Sequence, residues 1–252
     1  MGTQNKTFRQ NKRGRLQPDK TGLSEKLIAT STIAVMPRSS FSKAVDPALL
    51  KTINFRKRLL DIGFSMAALV LLLPVLPVFI VLIKCSSSGP VLFKQLREGK
   101  DGIPFVCYKF RSMHIQKKKR LKNGLPRITQ REDERIFTFG QFMRRNNLDE
   151  LPQLLNVIKG DMSLTGPRPY MVSECEYWED IFDDFEMREQ IKPGMSGLAQ
   201  VNGYRGGSLC KKHMRTRLDY DLIYVKSYNM WIDVKIIGRT ILQMLRLNTR
   251  AL

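Results

Sequence analysis

Two adjacent carboxylates, Asp149 and Glu150, stand just ahead of Pro152. Because proline is favoured in the first turn of a helix, the pair is predicted to lie at or just before a helix N-terminus. The ordinary role of acids at that position is to complement the positive end of the helix dipole. Their chemical alternatives are nucleophilic attack and metal binding, and the neighbouring residues bear on which role applies.

Basic residues flank this dyad on both sides. Arg144 lies five residues before Asp149, and Arg168 stands between Pro167 and Pro169. A guanidinium fork binds phosphate oxygens, and the prolines leave Arg168 little freedom to lose. A carboxylate that attacks a pyrophosphate needs a divalent cation and guanidinium groups to offset repulsion by its anionic target. The combination favours phosphoryl transfer through an acyl phosphate, which would divide a transfer between two large substrates into two steps.

The elements that position these groups begin with a predicted β-hairpin. Apolar runs at residues 91–96 and 105–110 flank a turn that contains an Asp-Gly dipeptide, a pattern typical of two antiparallel strands. Lys109 and Arg111 stand at the end of the second strand. They are weaker candidates for phosphate binding, because most basic side chains are simply exposed to solvent.

The sequence after the hairpin predicts one compact, mainly helical α+β domain. Apolar residues recur at helical spacing in several segments. The last segment is amphipathic and either packs on the core or lies in the membrane interface. A basic stretch at residues 117–120 is predicted to be a loop, either solvated or resting on anionic headgroups. The predicted helices cover residues 138–145, 153–158, 172–189 and 231–245, and a predicted loop covers residues 192–197.

Residues 62–83 contain no charged residue, and a helix needs about 20 apolar residues to cross a bilayer core. Hydropathy alone predicts a single transmembrane helix. However, Pro74 and Pro77 would break that helix near its middle. Basic residues also flank both ends, whereas a spanning helix should carry them on its cytoplasmic side only. A re-entrant helix-break-helix with both ends cytoplasmic satisfies both observations, provided that protein or water satisfies the freed carbonyls.

The whole sequence carries 43 basic and 23 acidic residues among 252, a net charge of +20. Such a surplus indicates an anionic partner, whether nucleic acid, lipid headgroups or phosphorylated substrates. The four dispersed cysteines predict reduced thiols, not a disulfide framework or a zinc site. A short apolar run at residues 27–36 is expected to make only a local contact. The predicted organisation is a basic, flexible arm (1–53), a re-entrant membrane helix (54–84) and a cytosolic catalytic domain (85–252).

Two rival classes remain open at this point. The first is a membrane-anchored nucleic-acid-binding or signalling protein. No helix-turn-helix, zinc or aromatic-platform signature accompanies the basic charge, so we expect no nucleic-acid partner. The second is a scaffold for polysaccharide export in which the dyad has no chemical role, and full function of an Asp149→Asn variant would favour it.

Five motifs carry a more specific signal. They are KFRSM at 109–113, LDELPQL at 148–154, NVIKGDMS at 156–163, GPRP at 166–169 and PGMSGLAQVNG at 193–203. In this order they resemble the bacterial sugar transferase family, the monotopic phosphoglycosyl transferases, over roughly residues 54–247. Each motif alone is moderately specific, whereas the ordered set is very specific.

The resemblance implies a re-entrant helix at the cytoplasmic face of the bacterial inner membrane, dependence on Mg²⁺, and a ping-pong reaction. A hexose-1-phosphate would pass from a UDP-sugar to undecaprenyl phosphate with release of UMP, as the first membrane step of exopolysaccharide, capsule or O-antigen synthesis. Asp149 is implied as the nucleophile, with Glu150 supporting metal binding or proton handling. Arg144 and Arg168 are implied to contact phosphate. Membrane lipids are expected partners, and a homo-oligomer stays an open alternative.

The C-terminal third resembles one subgroup of that family. Residues 202–207, 219–222 and 231–233 are similar to those of members that start capsular or exopolysaccharide chains with glucose or galactose phosphate. Thr165 stands where the family usually has valine, and we expect this difference to be tolerated.

Overall fold

The computed structural model describes residues 8–10, 16–18, 47–115, 133–206 and 210–245. The chain divides into two units, residues 1–47 and 48–252. In the first unit, strands β1 (Phe8–Gln10) and β2 (Leu16–Pro18) pair in antiparallel fashion. Most of the predicted arm, the apolar run at 27–36 and the basic stretch at 117–120 lie outside the described residues.

The second unit is mainly helical and contains two small two-stranded sheets, which confirms the predicted α+β class. Its helices are α1 (Pro47–Leu72), α2 (Leu76–Ser86), α3 (Thr138–Arg145), α4 (Gln153–Lys159), α5 (Val172–Glu179), α6 (Leu198–Val201), α7 (Lys211–Lys226) and α8 (Met230–Leu245). Its strands are β3 (Leu92–Glu98), β4 (Pro104–Phe110), β5 (Ser163–Thr165) and β6 (Gly194–Ser196). Short 3₁₀ helices cover Lys100–Gly102, Leu148–Glu150 and Phe185–Gln190.

Helices α1 and α2 form a bent apolar pair. No single helix in the described part of the chain is long and apolar enough to cross a membrane, but Phe55–Leu72 and Leu76–Ser86 pass that test together, with a bend of 68° between them. Pro74 lies in the break, and Pro77 lies in the first turn of α2, where a missing N–H costs no helical hydrogen bond. The predicted helix-break-helix is therefore present, and its insertion into a membrane stays a prediction.

Polar side chains in the middle of α1 fix this pair to the rest of the unit. The Lys57 ammonium donates to Asp233 on α8 at 2.8 Å and also to the Thr165 hydroxyl. The Asp61 carboxylate accepts hydrogen bonds from the Ser163 hydroxyl and the Leu164 N–H. Because these groups are buried and mutually paired, they specify one docking position for α1.

Thr165 is an integral part of this network. Its hydroxyl donates to Asp233 at 2.7 Å and receives the Lys57 contact, and only 1% of the residue is exposed. A valine here would remove one hydrogen-bond partner from each of two buried charged groups, the Lys57 ammonium and the Asp233 carboxylate. The threonine is thus matched to its surroundings in this chain.

The predicted hairpin is confirmed. Strands β3 and β4 pair antiparallel from Leu92 opposite Phe110 to Glu98 opposite Pro104. The turn between them needs a left-handed residue, and Asp101 (φ 57°) adopts that conformation. On one side of β4, the Asn156 amide of α4 receives the Tyr108 N–H and donates to the Val106 carbonyl.

Two predicted elements differ from the structure. The helix predicted over residues 172–189 ends at Glu179, and a 3₁₀ helix resumes at Phe185. Three aspartates occupy the break, and aspartate favours turns because its carboxylate competes for backbone N–H groups. The loop predicted at residues 192–197 contains β6, which pairs in parallel with β5. This ladder is only three residues long, too short for a periodic signal.

The predicted C-terminal amphipathic helix is confirmed as α8. Asp233 and Ile236 are buried in the core, while a stripe of large apolar residues on α8 is exposed. The exposed stripe consists of Trp231, Val234, Ile241 and Leu242. This helix thus packs on the core with one face and leaves an apolar face uncovered.

Candidate active site

The carboxylate dyad lies in a 3₁₀ turn between α3 and α4. Asn147 (φ 55°) reverses the chain after α3, and the turn Leu148–Glu150 follows directly. Helix α4 begins three residues later at Gln153, so the predicted position just before a helix N-terminus is confirmed. Asp149 is buried, with 6% of its surface exposed. The local fold therefore removes a carboxylate from water.

Glu150 is held by two cations. The Lys109 ammonium at the end of β4 donates to Glu150 at 2.5 Å, and the Arg168 guanidinium donates to both carboxylate oxygens at 2.8 and 3.3 Å. Burial by itself would raise the pKa of Glu150, but Arg168 and Lys109 outweigh it and hold this pKa well below its usual range. Glu150 is therefore ionised throughout the physiological range.

Asp149 is in a different electrostatic state. Burial raises its pKa, and the neighbouring Glu150 charge adds to this, against the lowering effect of Lys109, Arg144 and Arg168. None of the ion pairs between described residues includes Asp149. Two neighbouring acids whose pKa values shift in opposite directions can take different roles in a reaction, one chemical and one supporting.

The other predicted site residues divide into two groups. Arg144 acts on Asp149 through its charge, and its Nε is buried without a hydrogen-bond partner among the described residues. Arg111 instead donates to the carbonyls of Ser87 and Ser88 just after α2, the latter at 2.7 Å. The structure thus brings Lys109, Arg144 and Arg168 to the dyad, while Arg111 joins the hairpin to the end of α2.

The loop that carries Arg168 is joined to β6 by backbone hydrogen bonds. Gly166 N–H donates to the Ser196 carbonyl at 2.9 Å, and Gly194 N–H donates to the Pro167 carbonyl at 2.9 Å. A Cβ on Gly194 would overlap the backbone nitrogen of Gly166, so only glycine permits this approach. The loop therefore presents Arg168 from a rigid backbone.

A second arginine, Arg188, was not predicted from sequence and contacts the backbone of Arg168. Arg188 donates to the Arg168 carbonyl and, at 3.2 Å, to Asp221, and its guanidinium lies 4.4 Å from the Tyr170 ring centre. Arg217 donates to the Tyr170 hydroxyl at 3.0 Å. These side chains are nearly fully buried. Sequence offered no signal for them, because Arg188 sits in what looked like an ordinary packing helix.

One cluster away from the dyad has metal-ligand residue types. Among the described residues, Glu98, Cys175 and Glu189 form the one group of three whose possible ligand atoms lie within 4.8 Å of one another. Burial and the Glu98 charge raise the pKa of Glu189 to about 8. Glu189 can therefore keep its proton at neutral pH, which lowers its repulsion by Glu98.

The fold thus combines two features in one unit, a buried carboxylate dyad with guanidinium groups beside it and a bent pair of apolar helices. Residues 52–247 match the family model for bacterial sugar transferases, and the chain belongs to that family. The predicted resemblance is thereby confirmed.

Named relatives make the family context more specific. The chain is 41% identical over 185 residues to the UDP-glucose:undecaprenyl-phosphate glucose-1-phosphate transferase of Klebsiella pneumoniae, covering 73% of this chain and 39% of the relative. It is 40% identical over 191 residues to the enzyme of the same name from Caulobacter vibrioides, covering 75% and 69% of the two chains. It is 38% identical over 188 residues to an N-acetylgalactosaminephosphotransferase that uses UDP-N-acetylgalactosamine and undecaprenyl phosphate, from Aeromonas hydrophila, covering 74% and 43%. The chain thus spans about two fifths of the Klebsiella and Aeromonas relatives.

Proposed function

We propose that this chain transfers a hexose-1-phosphate from a UDP-sugar to undecaprenyl phosphate and releases UMP. The observation that carries the proposal is the buried Asp149 beside a Glu150 that Lys109 and Arg168 keep ionised. The names of the Klebsiella, Caulobacter and Aeromonas relatives support both substrate classes.

The first step is an attack by an Asp149 carboxylate oxygen on the phosphorus that bears the sugar. A P–O bond to Asp149 forms, the pyrophosphate P–O bond breaks, and UMP leaves with that electron pair on its phosphate oxygen. In the second step, an oxygen of undecaprenyl phosphate attacks the same phosphorus and frees the carboxylate. Burial keeps water from Asp149, which strengthens its oxygen as a nucleophile and protects the acyl phosphate from hydrolysis.

The cations have separate tasks in this reaction. Arg168 is a rigid fork and suits two oxygens of one phosphoryl group. Lys109 is a compact charge whose pKa burial lowers, together with the charges of Arg97 and Arg168. Both cations are paired with Glu150 in the structure, so a bound phosphate would compete with that carboxylate for them.

The dyad also fits Mg²⁺, which the resemblance implies. Enzymes hold this ion through one or two carboxylates together with substrate phosphates. Asp149 and Glu150 supply hard oxygen ligands next to the phosphate-binding cations. A bound Mg²⁺ would neutralise charge on the diphosphate and on the departing UMP.

The bent pair α1–α2 and the apolar face of α8 are proposed to attach the chain to the cytoplasmic face of the bacterial inner membrane. Exposed apolar side chains cover both elements, as an interfacial protein requires. Such a placement would bring a lipid phosphate to the dyad without crossing the bilayer. The family resemblance further favours this transfer as the first membrane step of exopolysaccharide, capsule or O-antigen synthesis.

A direct test measures UMP release in membranes that contain the full chain, a UDP-sugar and Mg²⁺. The Asp149→Ala variant should release no UMP above background, because the nucleophile is missing. Radiolabelled sugar-phosphate donor should label the wild-type chain and leave the variant unlabelled. Wild-type rates from Asp149→Ala would refute the proposal.

A further inference from the structure

The ion pair between Lys109 and Glu150 joins two different elements of the fold. Lys109 is the next-to-last residue of β4, and Glu150 ends the 3₁₀ turn that leads into α4. Their charged atoms are 2.5 Å apart, and both side chains are largely buried. The position of the Lys109 ammonium therefore depends on how β4 lies against α4.

The apolar contact between β4 and α4 does not define that position by itself. Apolar attraction is non-directional, so a strand can shift along a helix and keep most of the buried area. A shift by one residue, however, turns every side chain of a strand to the opposite face, and it would turn Lys109 away from Glu150. The apolar cluster that includes both elements consists of Phe105, Cys107, Val157 and Met162.

The side chain of Asn156 on α4 supplies the missing directional contact. The sheet of β3 and β4 has two strands in the described part of the chain, so one edge of β4 is without a strand partner there. At this edge, Asn156 Oδ1 accepts the Tyr108 N–H at 3.0 Å, and its Nδ2 donates to the Val106 carbonyl at 2.7 Å. A neighbouring strand would otherwise pair these two backbone groups. The amide thus takes the place of a strand and fixes β4 one residue before Lys109.

The Asn156 amide is itself held in one orientation. Asn156 is fully buried, and its Nδ2 also donates to the Asp161 carboxylate at 3.0 Å. The Asn156 carbonyl accepts the N–H groups of Gly160 and Asp161, both at 3.0 Å. A buried polar group with partners on each side specifies one arrangement of the elements that it joins.

We propose that Asn156 is a positioning residue for the reaction, which keeps the Lys109 ammonium beside Glu150 and within reach of a substrate phosphate. This inference rests on the proposed transfer reaction and on the task of Lys109 in it. In the alternative, Asn156 only stabilises the contact between β4 and α4. That alternative predicts a loss of stability and no dependence of the rate effect on Lys109.

A double-mutant cycle separates the two roles. Wild type, Asn156→Ala, Lys109→Met and the double variant are prepared as full chains in nanodiscs, and kcat/KM for UMP release from a UDP-sugar is measured per mole of folded chain. Lys109→Met should lower kcat/KM by about 100-fold or more, and Asn156→Ala by about 10- to 100-fold through misplacement of the ammonium. In the Lys109→Met background, Asn156→Ala should cost less than about threefold more, because no ammonium is left to position.

Asn229→Ala is the matched control for the loss of an asparagine amide. Asn229 accepts the Ile232 N–H at 3.0 Å and donates to the Ser227 carbonyl at 2.7 Å, at the start of α8. Its replacement should leave kcat/KM within about threefold in both backgrounds. Asn156→Asp keeps the shape and the acceptor for the Tyr108 N–H, so it carries the same cycle if Asn156→Ala does not fold.

Three results would overturn the positioning role. They are equal fold-losses from the Asn156 change with and without Lys109, a wild-type rate from folded Asn156→Ala, and a wild-type rate from Lys109→Met, which would leave Lys109 without a task. Absence of UMP release by the wild type would instead overturn the transfer reaction.

Discussion

At the scale of single residues, the dyad consists of two acids in unequal surroundings. Glu150 receives three hydrogen bonds from cations, whereas Asp149 is buried without an ion pair among the described residues. The site therefore keeps Asp149 in an environment that opposes its charge. Strain of this kind is expected where an acid has a chemical task, because stability alone would select a neutral side chain.

Replacement of Asp149 by asparagine separates stability from activity. Because the folded-state pKa of Asp149 is raised, its contribution to stability is present at low pH and is lost as pH rises through that pKa. Asp149→Asn should therefore raise the melting temperature at pH 7.5, and this gain should shrink towards pH 4. Sugar-phosphate transfer should fall by at least about 1,000-fold.

The measurements are thermal unfolding between pH 4 and 8 and UMP release at pH 7.5. Asp183→Asn is the control, since Asp183 is exposed and the change is chemically the same. A lower melting temperature for Asp149→Asn at pH 7.5 would mean that the ionised carboxylate is favoured by the fold.

A second residue-scale prediction concerns Glu189. Its folded-state pKa of about 8 lies above the ordinary glutamate value, so protonated Glu189 stabilises the fold below pH 4.5 and this contribution is lost as pH rises through 8. Glu189→Gln should raise the melting temperature at pH 9 by at least about 2–4 °C, the shift that 1 kcal/mol produces in a chain of this size. The gain should be smaller at pH 5.

Glu186→Gln serves as its comparison, because Glu186 is exposed on the same 3₁₀ helix. Calorimetric or fluorescence melting curves at the two pH values suffice. A gain of equal size at pH 5 and pH 9 would show that the fold does not raise the pKa of Glu189.

Sequence could supply part of the site at this scale. Spacing and flanking prolines with a direct chemical meaning indicated Asp149, Glu150 and Arg168. Their phosphate-binding and catalytic roles stay predictions. The contacts of Arg188 and Asn156 were not indicated. Arg188 reaches Arg168 across 20 residues and Asn156 reaches β4 across 48, and such tertiary contacts leave no local pattern.

At the scale of elements, the strongest sequence signals were long or contained glycine and proline. The hairpin, α4 with its left-handed Gly160 at the end, and α8 were predicted and confirmed. The three-residue strands β5 and β6 escaped prediction, although they position the Arg168 loop. Such short ladders are specified by long-range pairing and by the space that Gly194 leaves, not by periodicity.

The break between α1 and α2 carries an element-scale prediction. Pro74 and Pro77 prevent one continuous helix, so reporters placed before Arg56 and after Lys100 should both be cytoplasmic in the wild type. Replacement of both prolines by leucine should restore a continuous apolar helix. A fraction of the reporters after Lys100 should then move to the opposite side, with a parallel loss of transfer activity.

Accessibility of single cysteines to a membrane-impermeant reagent gives an independent measure of the same topology. The two-alanine variant of Ser86 and Ser87 is a suitable control, because it alters the end of α2 and leaves the break intact. Opposite locations of the two reporters in the wild type would mean that the pair spans the bilayer.

At the scale of the whole molecule, the docking of α1 couples the apolar pair to the site. Lys57 and Asp61 are on the same helix as the apolar run, and both contact β5 or its neighbour α8. The strand β5 leads directly into the loop that carries Arg168. A series of contacts therefore connects the apolar helix to the loop that carries Arg168, over residues 102 to 176 positions apart.

The identity of the sugar is the last prediction, and it belongs to this scale because no single residue specifies it. Relatives at 38% and 41% identity carry names with different sugars, so overall similarity does not distinguish them. The similarity of residues 202–207, 219–222 and 231–233 to the glucose and galactose subgroup favours a hexose without an N-acetyl group.

We therefore expect UDP-glucose or UDP-galactose to support UMP release at least about tenfold faster than UDP-N-acetylgalactosamine, a preference worth about 1.4 kcal/mol in transition-state binding. A screen of UDP-sugars with undecaprenyl phosphate measures this ratio, and Asp149→Ala membranes set the background for each donor. A faster reaction with the N-acetylated donor would contradict the assignment to the glucose and galactose subgroup, while UMP release from no donor would contradict the reaction itself.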